Sequence, residues 1–206
     1  MEISFILKIA DFIGTGAFAL SGFLVGTRKK LDIFGVVLLS IVTALGGGIA
    51  RDAIVHRLPA SMIGYEAVLT VTATICIALF FKLHKKEALE QKSIFIISDS
   101  AGLVAFAIGG ALVAIDAGLN LFGVVILSLL TAVGGGMLRD MLINETPEIL
   151  ASEFYATVAI LTALAVYLAH FLSLLGVYQI VVIFTMFFCL RMVAYHKNWH
   201  LPKLSE

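Results

Sequence analysis

Charge is scarce in this chain. Only 14 % of its 206 residues are Asp, Glu, Lys or Arg, and the two signs cancel at 14 each. A soluble domain carries about 25 % charged residues; here apolar residues make up 61 % of the chain, with a mean hydropathy of +1.07. That balance excludes a soluble globular protein. Zero net charge leaves no electrostatic argument for nucleic acid or another polyanion as a partner. Cysteine is nearly absent as well. Cys76 and Cys189 lie inside apolar segments with no Cys or His at metal-ligand spacing, so both read as small buried hydrophobes rather than as a disulfide or a metal site. No basic region precedes the first apolar run, which begins near Phe5 and carries Asp11, so it reads as a retained helix. Nucleophile–base pairs, metal-ligand clusters and phosphate loops are also missing, which argues against an enzyme and for no cofactor.

What is present is a succession of apolar runs. A membrane-crossing helix needs roughly 20 mostly apolar residues. That window predicts an all-α polytopic membrane protein, one domain over 1–206, with seven spans near 5–26, 33–55, 62–81, 94–115, 121–143, 154–172 and 177–195. The run from Lys82 to Lys92 reads as a solvated loop. His170 reads as a core histidine, and Tyr178, Tyr195 and Trp199 as interface anchors. His196 and His200 have helical spacing, but a metal site is not expected in a basic tail.

Shifting the chain by 88 residues aligns it with itself without a gap. Between 11–59 and 99–147 there are 23 identities in 49 positions, including Asp11/Asp99, Gly22/Gly110, Ser40/Ser128, Thr43/Thr131 and Pro59/Pro147. The copies span 5–81 and 94–172, leaving 177–195 as a seventh helix outside the repeat. Three helices per copy is an odd number, so the second copy enters the membrane inverted. Loop charge gives the orientation. Arg28, Lys29, Lys30, Lys82, Lys85, Lys86, Lys92, Arg191, Lys197 and Lys203 fall on one side, against Lys8 and Arg57 on the other. The positive-inside rule then puts the N-terminus outside and the C-terminus in the cytoplasm of a plasma (inner) membrane.

Two sequences stand out within the repeat, TALGGGIARD at 43–52 and TAVGGGMLRD at 131–140. Glycine weakens a helix by about 1 kcal/mol relative to alanine, so Gly46, Gly47, Gly48 and Gly134, Gly135, Gly136 are expected to break or kink the second and fifth spans. Irregular backbone at membrane depth is tolerated only inside protein or along a water-filled cavity. At about 100° per residue, Ser40, Thr43, Gly47 and Arg51 form one stripe, and Ser128, Thr131, Gly135 and Arg139 repeat it. Such a stripe suits a polar pathway for a small solute or a partly dehydrated cation. It also suits close helix packing alone. Each arginine is expected to pair within its own copy, Arg51 with Asp11 and Arg139 with Asp99. Asp52 and Asp140 should point about 100° away, toward loops or neighbouring helices.

The paired GGGxxRD motifs, GGGIARD at 46–52 and GGGMLRD at 134–140, resemble the prokaryotic members of the TRIC family of trimeric intracellular cation channels, and the likeness covers nearly the whole chain. The resemblance implies a homotrimer with one pore per protomer. That pore would run around the second and fifth helices, Ile33–Val55 and Leu121–Ile143, and pass monovalent cations, chiefly potassium. Animal members carry a lysine-bearing segment and bind inositol lipids; here the corresponding stretch is GGGIARD. The sequence is similar, too, to a domain labelled as a glycine transporter, so a secondary carrier of a small neutral amino acid is the alternative.

Overall fold

The computed structural model describes residues 2–151, 153–197 and 199, and its regular structure is helical. The helices are α1 (Glu2–Arg28), α2 (Ile33–Ile54), α3 (Ala60–Ile63), α4 (Glu66–Phe80), α5 (Ala88–Asp116), α6 (Leu121–Leu142), α7 (Glu148–Ala151), α8 (Glu153–Phe171) and α9 (Val177–His196). Six of them, α1, α2, α5, α6, α8 and α9, are long and apolar enough to cross a membrane. The expected third span differs. Extended backbone at Gly64 (φ −104°, ψ 164°) divides it into α3 and α4. With 15 residues, α4 rises only about 22 Å, short of a hydrocarbon layer of about 30 Å. The loop expected over Lys82–Lys92 is also shorter, because a 3₁₀ turn occupies Leu83–Lys85 and α5 begins at Ala88.

The repeat is visible in how the chain turns. Asp32 and Asn120 cap α2 and α6, each side-chain oxygen accepting the N–H of Gly35 or Gly123 three residues on. Left-handed backbone falls at matched places, Lys30 with Gly118 before these helices and His56 with Asn144 after them. Between the halves, a Cβ on Gly14 would meet the Phe106 ring at 2.7 Å, and one on Gly102 would meet the Phe18 ring. The two rings pack edge to face with centroids 5.3 Å apart. These contacts exchange under the 88-residue shift and run in opposite chain directions, so α1 and α5 cross antiparallel about a local two-fold. One loop strap is matched in place but reversed in sign. Arg28 and Lys29 pair with Glu145, while at the corresponding positions Asp116 pairs with Arg57.

α5 is the most enclosed long helix, packed on α1, α6, α8 and α9. α4 leans on α1 and α2 as α8 leans on α5 and α6, whereas α9 covers α8 and α5 and touches α1 at a few residues. Large apolar side chains such as Phe34, Phe80, Phe122 and Phe171 face outward, a surface suited to lipid rather than water. Cys76 and Cys189 belong to that surface and are not buried. His170 is exposed rather than in the core. Tyr178 and Trp199 are exposed, and His200 and Lys203 lie outside the described residues.

Candidate functional site

Contrary to the sequence expectation, the triple glycines break nothing. Helical structure runs through Gly46–Gly48 in α2 and Gly134–Gly136 in α6. Their absent side chains serve a crossing. A Cβ on Gly47 would overlap the Thr131 carbonyl oxygen, and one on Gly135 would overlap the Thr43 carbonyl oxygen. α2 and α6 therefore touch backbone to backbone, antiparallel, at the centre of the repeat. Ser40, Thr43, Ser128 and Thr131 are fully buried at neighbouring crossings. A Cβ on Gly22 would sit 2.8 Å from Thr43 Oγ1, and one on Gly110 would sit 2.8 Å from Thr131 Oγ1. Three of these hydroxyls donate to carbonyls of their own helix, and Ser128 donates to the Ala107 carbonyl of α5. In this conformation the hydroxyl stripe lies in helix contacts and not along an open space.

Beyond the crossing, each motif ends in a charge cluster. Arg51 Nη1 donates to Asp11 Oδ1 at 2.7 Å and its Nε to Asp52 Oδ1 at 2.8 Å. Arg139 Nη1 donates to Asp99 Oδ1 at 2.6 Å and its Nε to Asp140 Oδ1 at 2.8 Å. Asp52 and Asp140 thus do not point away from their arginines. The flexible guanidinium folds back along the helix, and the second oxygen of each aspartate accepts a backbone N–H from the next short helix, Ala60 or Glu148, at 3.0 Å. Each cluster therefore fixes one long helix, its partner and the short helix that follows. Ser21 adds a hydroxyl between Asp99 and Arg139; its counterpart Gly109 leaves room beside Asp11 and Arg51.

The clusters differ in their access to water. Asp11 and Arg51 lie on a cavity of about 580 Å³, lined also by Lys8, Gly48, Asp52, Glu66 and Thr70 among largely apolar neighbours. Around Arg139, Val133, Gly136, Glu148, Ile149 and Tyr155 close together and leave no water-sized space. Arg139 lies over the Phe95 ring at 5.0 Å. Side-chain size explains the difference. Tyr155 stands where the first copy has Ala67, Glu148 where it has Ala60, and Phe95 where it has Leu7. In the filled cluster Asp99 Oδ2, Arg139 Nη2 and the Tyr155 hydroxyl make no well-formed hydrogen bond among the described residues. Glu148, on α7 outside the long spans, has its carboxyl pushed up to about 7, first by burial and then by Asp99, with Arg191 and Arg139 opposing. Neither copy alone singles out Tyr155 or Glu148, which only comparison of the aligned copies beyond Pro59 exposes as large residues in place of small ones; Arg191, counted in the sequence among the loop charges, is instead buried within α9.

The sequence model of the family described as "Glycine transporter" matches residues 8–85 and 96–171. The UPF0126 membrane protein YvgT of Bacillus subtilis is 36 % identical over 198 residues, covering 96 % of each chain. A UPF0126 membrane protein of Deinococcus radiodurans is 43 % identical over 160 residues, 77 % of this chain and 74 % of that one. Among solved structures, a prokaryotic TRIC channel in 0.5 M KCl superposes with a TM-score of 0.85 at 36 % identity, covering 96 % of this chain and all of the other. The TRIC trimeric intracellular cation channel orthologue from Rhodobacter sphaeroides superposes with a TM-score of 0.86 at 30 % identity over 94 % of this chain and 99 % of that chain. An integral membrane protein with a TRIC-like helical fold, this chain belongs to the glycine transporter family, whose solved relatives are the TRIC cation channels.

Proposed function

We propose that the chain is a monovalent-cation channel, permeable to potassium, with one path per protomer between α2 and α6. The observation that carries this reading is the pair of Asp–Arg–Asp clusters beyond either side of one antiparallel crossing, one under an open cavity and the other sealed. The cavity presents the carboxylates of Asp11, Asp52 and Glu66 against Lys8 and Arg51, a surplus of negative charge that favours cations. Its volume is many times the roughly 30 Å³ share of one water molecule, enough for an ion to enter hydrated. Gly48 and Arg51 border the path on one side, and Gly136 and Arg139 on the other. Ser40, Thr43, Gly46, Gly47, Ser128, Thr131, Gly134 and Gly135 hold the crossing between them.

In this reading the two copies, 5–81 and 94–172, are inverted in the membrane, with α4 as the third of seven crossings and the span at 177–195 outside the repeat. The N-terminus and the Arg51 cavity face outward, and the basic ends of α1 and α9 face the cytoplasm. Three protomers associate within the lipid, each keeping its own path. The loop-charge bias supports the orientation, the 88-residue repeat supports the inversion, and the similarity to a solved trimeric intracellular cation channel orthologue supports the trimer.

A cavity open on one side and closed on the other is also what an alternating-access carrier presents, so carriage of glycine or a similar amino acid is the second reading. Purified protein in a planar bilayer under a potassium gradient separates them. Unitary currents reversing near the potassium potential are the expected result. Saturable uptake of labelled glycine into proteoliposomes, with no such currents, refutes the channel.

A further inference from the structure

The two halves share a backbone plan but not a state. At positions related by the repeat, Ala60 and Ala67 line open space, whereas Glu148 and Tyr155 fill it. The filled half is also the half that α9 covers. From α9, buried Arg191 reaches Glu148 Oε2 at 3.7 Å through Nη2 and stacks over the Tyr155 ring at 5.0 Å. One side chain from outside the repeat therefore holds both α7 and the first turn of α8.

We infer that Arg191, Glu148 and Tyr155 form a latch that closes the inner end of the path, with Tyr155 as the plug and α9 as the element that releases it. This rests on the reading that a path runs past Arg139. Three features support release rather than permanent closure. First, Asp99 Oδ2, Arg139 Nη2 and the Tyr155 hydroxyl are buried with no well-formed hydrogen bond among the described residues, the hydroxyl facing Asp99, so closure leaves polar groups dry that water would satisfy on opening. Second, a Cβ on Gly136 would lie 3.4 Å from the Tyr155 hydroxyl and 3.7 Å from Arg139 Nη2, so the plug rests on a glycine surface that withdrawal uncovers. Third, the hold depends on charge. Glu148 is faced by Arg191 from α9, Arg139 and Asp140 from α6, Asp99 from α5 and Tyr155 from α8. Its carboxyl, raised to about 7 by burial, is charged and paired with Arg191 above that pH and neutral below it. Acid on the inner side removes the attraction that holds α7 to α9 and loosens the latch.

Two reporter positions test this without relying on currents. In full-length protein with Cys76 and Cys189 replaced by alanine, Leu45→Cys reports the open cavity and Val133→Cys, its repeat counterpart, reports the closed space. Labelling in proteoliposomes by a small charged thiol reagent should be several-fold slower at Val133→Cys. Tyr155→Ala, and separately the isosteric Glu148→Gln, should raise the Val133→Cys rate toward that of Leu45→Cys. Lowering the pH from about 8 to about 6 should raise the ratio of the two rates, and Glu148→Gln should abolish that dependence. If Tyr155→Ala does not fold, Glu148→Gln and the pH dependence carry the test. Equal labelling of both positions in the unmodified latch, or no response to either release, overturns the inference. The same variants in planar bilayers separate the two readings. Val133→Cys access that responds without any cation current keeps the latch and sinks the channel; currents with unresponsive access do the reverse.

Discussion

Gly47 and Gly48 are adjacent, have the same intrinsic propensity and sit in the same helix, yet alanine should act on them in opposite directions. At Gly47 the new methyl would overlap the Thr131 carbonyl oxygen, with the Gly135 nitrogen at 3.4 Å behind it. Neither atom belongs to a side chain that can turn aside, so α2 and α6 must separate by on the order of 1 Å, which forfeits a large part of the contact energy along the crossing. Overpacking of this kind costs about 1–3 kcal/mol or more, against about 1 kcal/mol gained from helix propensity. At Gly48 a Cβ meets nothing within 4 Å, so only the gain remains. For a chain of this length 1 kcal/mol corresponds to roughly 2–4 °C in Tm. Gly47→Ala should lower the melting temperature in detergent by about 4–8 °C, and Gly48→Ala should raise it by about 2–4 °C, as followed by the loss of helical circular dichroism. Gly135→Ala and Gly136→Ala should repeat the contrast, with a smaller gain at Gly136 because of the Tyr155 hydroxyl. Equal shifts at Gly47 and Gly48 would refute the crossing as the reason for the glycines.

The charge clusters should differ in the same measurement. Asp99→Asn leaves a fully buried Arg139 short of its closest carboxylate and should cost about 3–5 kcal/mol, whereas Asp11 is 28 % exposed on the cavity, and Asp11→Asn should cost nearer 1–2 kcal/mol because water compensates part of the loss. Ala67→Tyr places in the open half the side chain that fills the closed one, and should reduce both thiol labelling of Leu45→Cys and any cation current while leaving the fold intact. Gly109→Ser supplies beside Arg51 the hydroxyl that Ser21 supplies beside Arg139; a Cβ there has 3.4 Å to Asp11 and 3.5 Å to Arg51, so the variant should fold and be at least as stable as the parent, as judged by the same melt.

The arrangement of the long helices was legible because it depends on runs of apolar residues and on identities that survive an 88-residue shift. The pairing of Asp11 with Arg51 and of Asp99 with Arg139 followed from depth, since an intramembrane guanidinium requires a carboxylate and the neighbouring helix of each copy carries one at the matching end. The neighbouring aspartates were harder to place. A 100° rotation per residue locates Cβ atoms, but arginine's long side chain can fold back to reach residue i+1, as Arg51 and Arg139 both do. The glycines misled for a related reason. Propensity describes an isolated helix, and at Gly47 and Gly135 tertiary contact outweighs it, keeping the helix whole and using the missing side chain as a seat for another backbone. The outward-facing cysteines depend on which face meets lipid, which a uniformly apolar run does not record.

The strap that joins Arg28 and Lys29 to Glu145, and Arg57 to Asp116, keeps its place in both halves while exchanging its signs. A newly made chain is oriented by the positive charges near its helix ends, so a duplicated unit with identical loops would send the same insertion signal twice, in conflict with the inversion proposed for its two copies. Swapping acid for base at both ends of one bond removes that conflict and leaves the folded scaffold its bracket. On the proposed topology, insertion would respond to the sign of these five residues, whereas the folded strap requires only that its two ends be opposite.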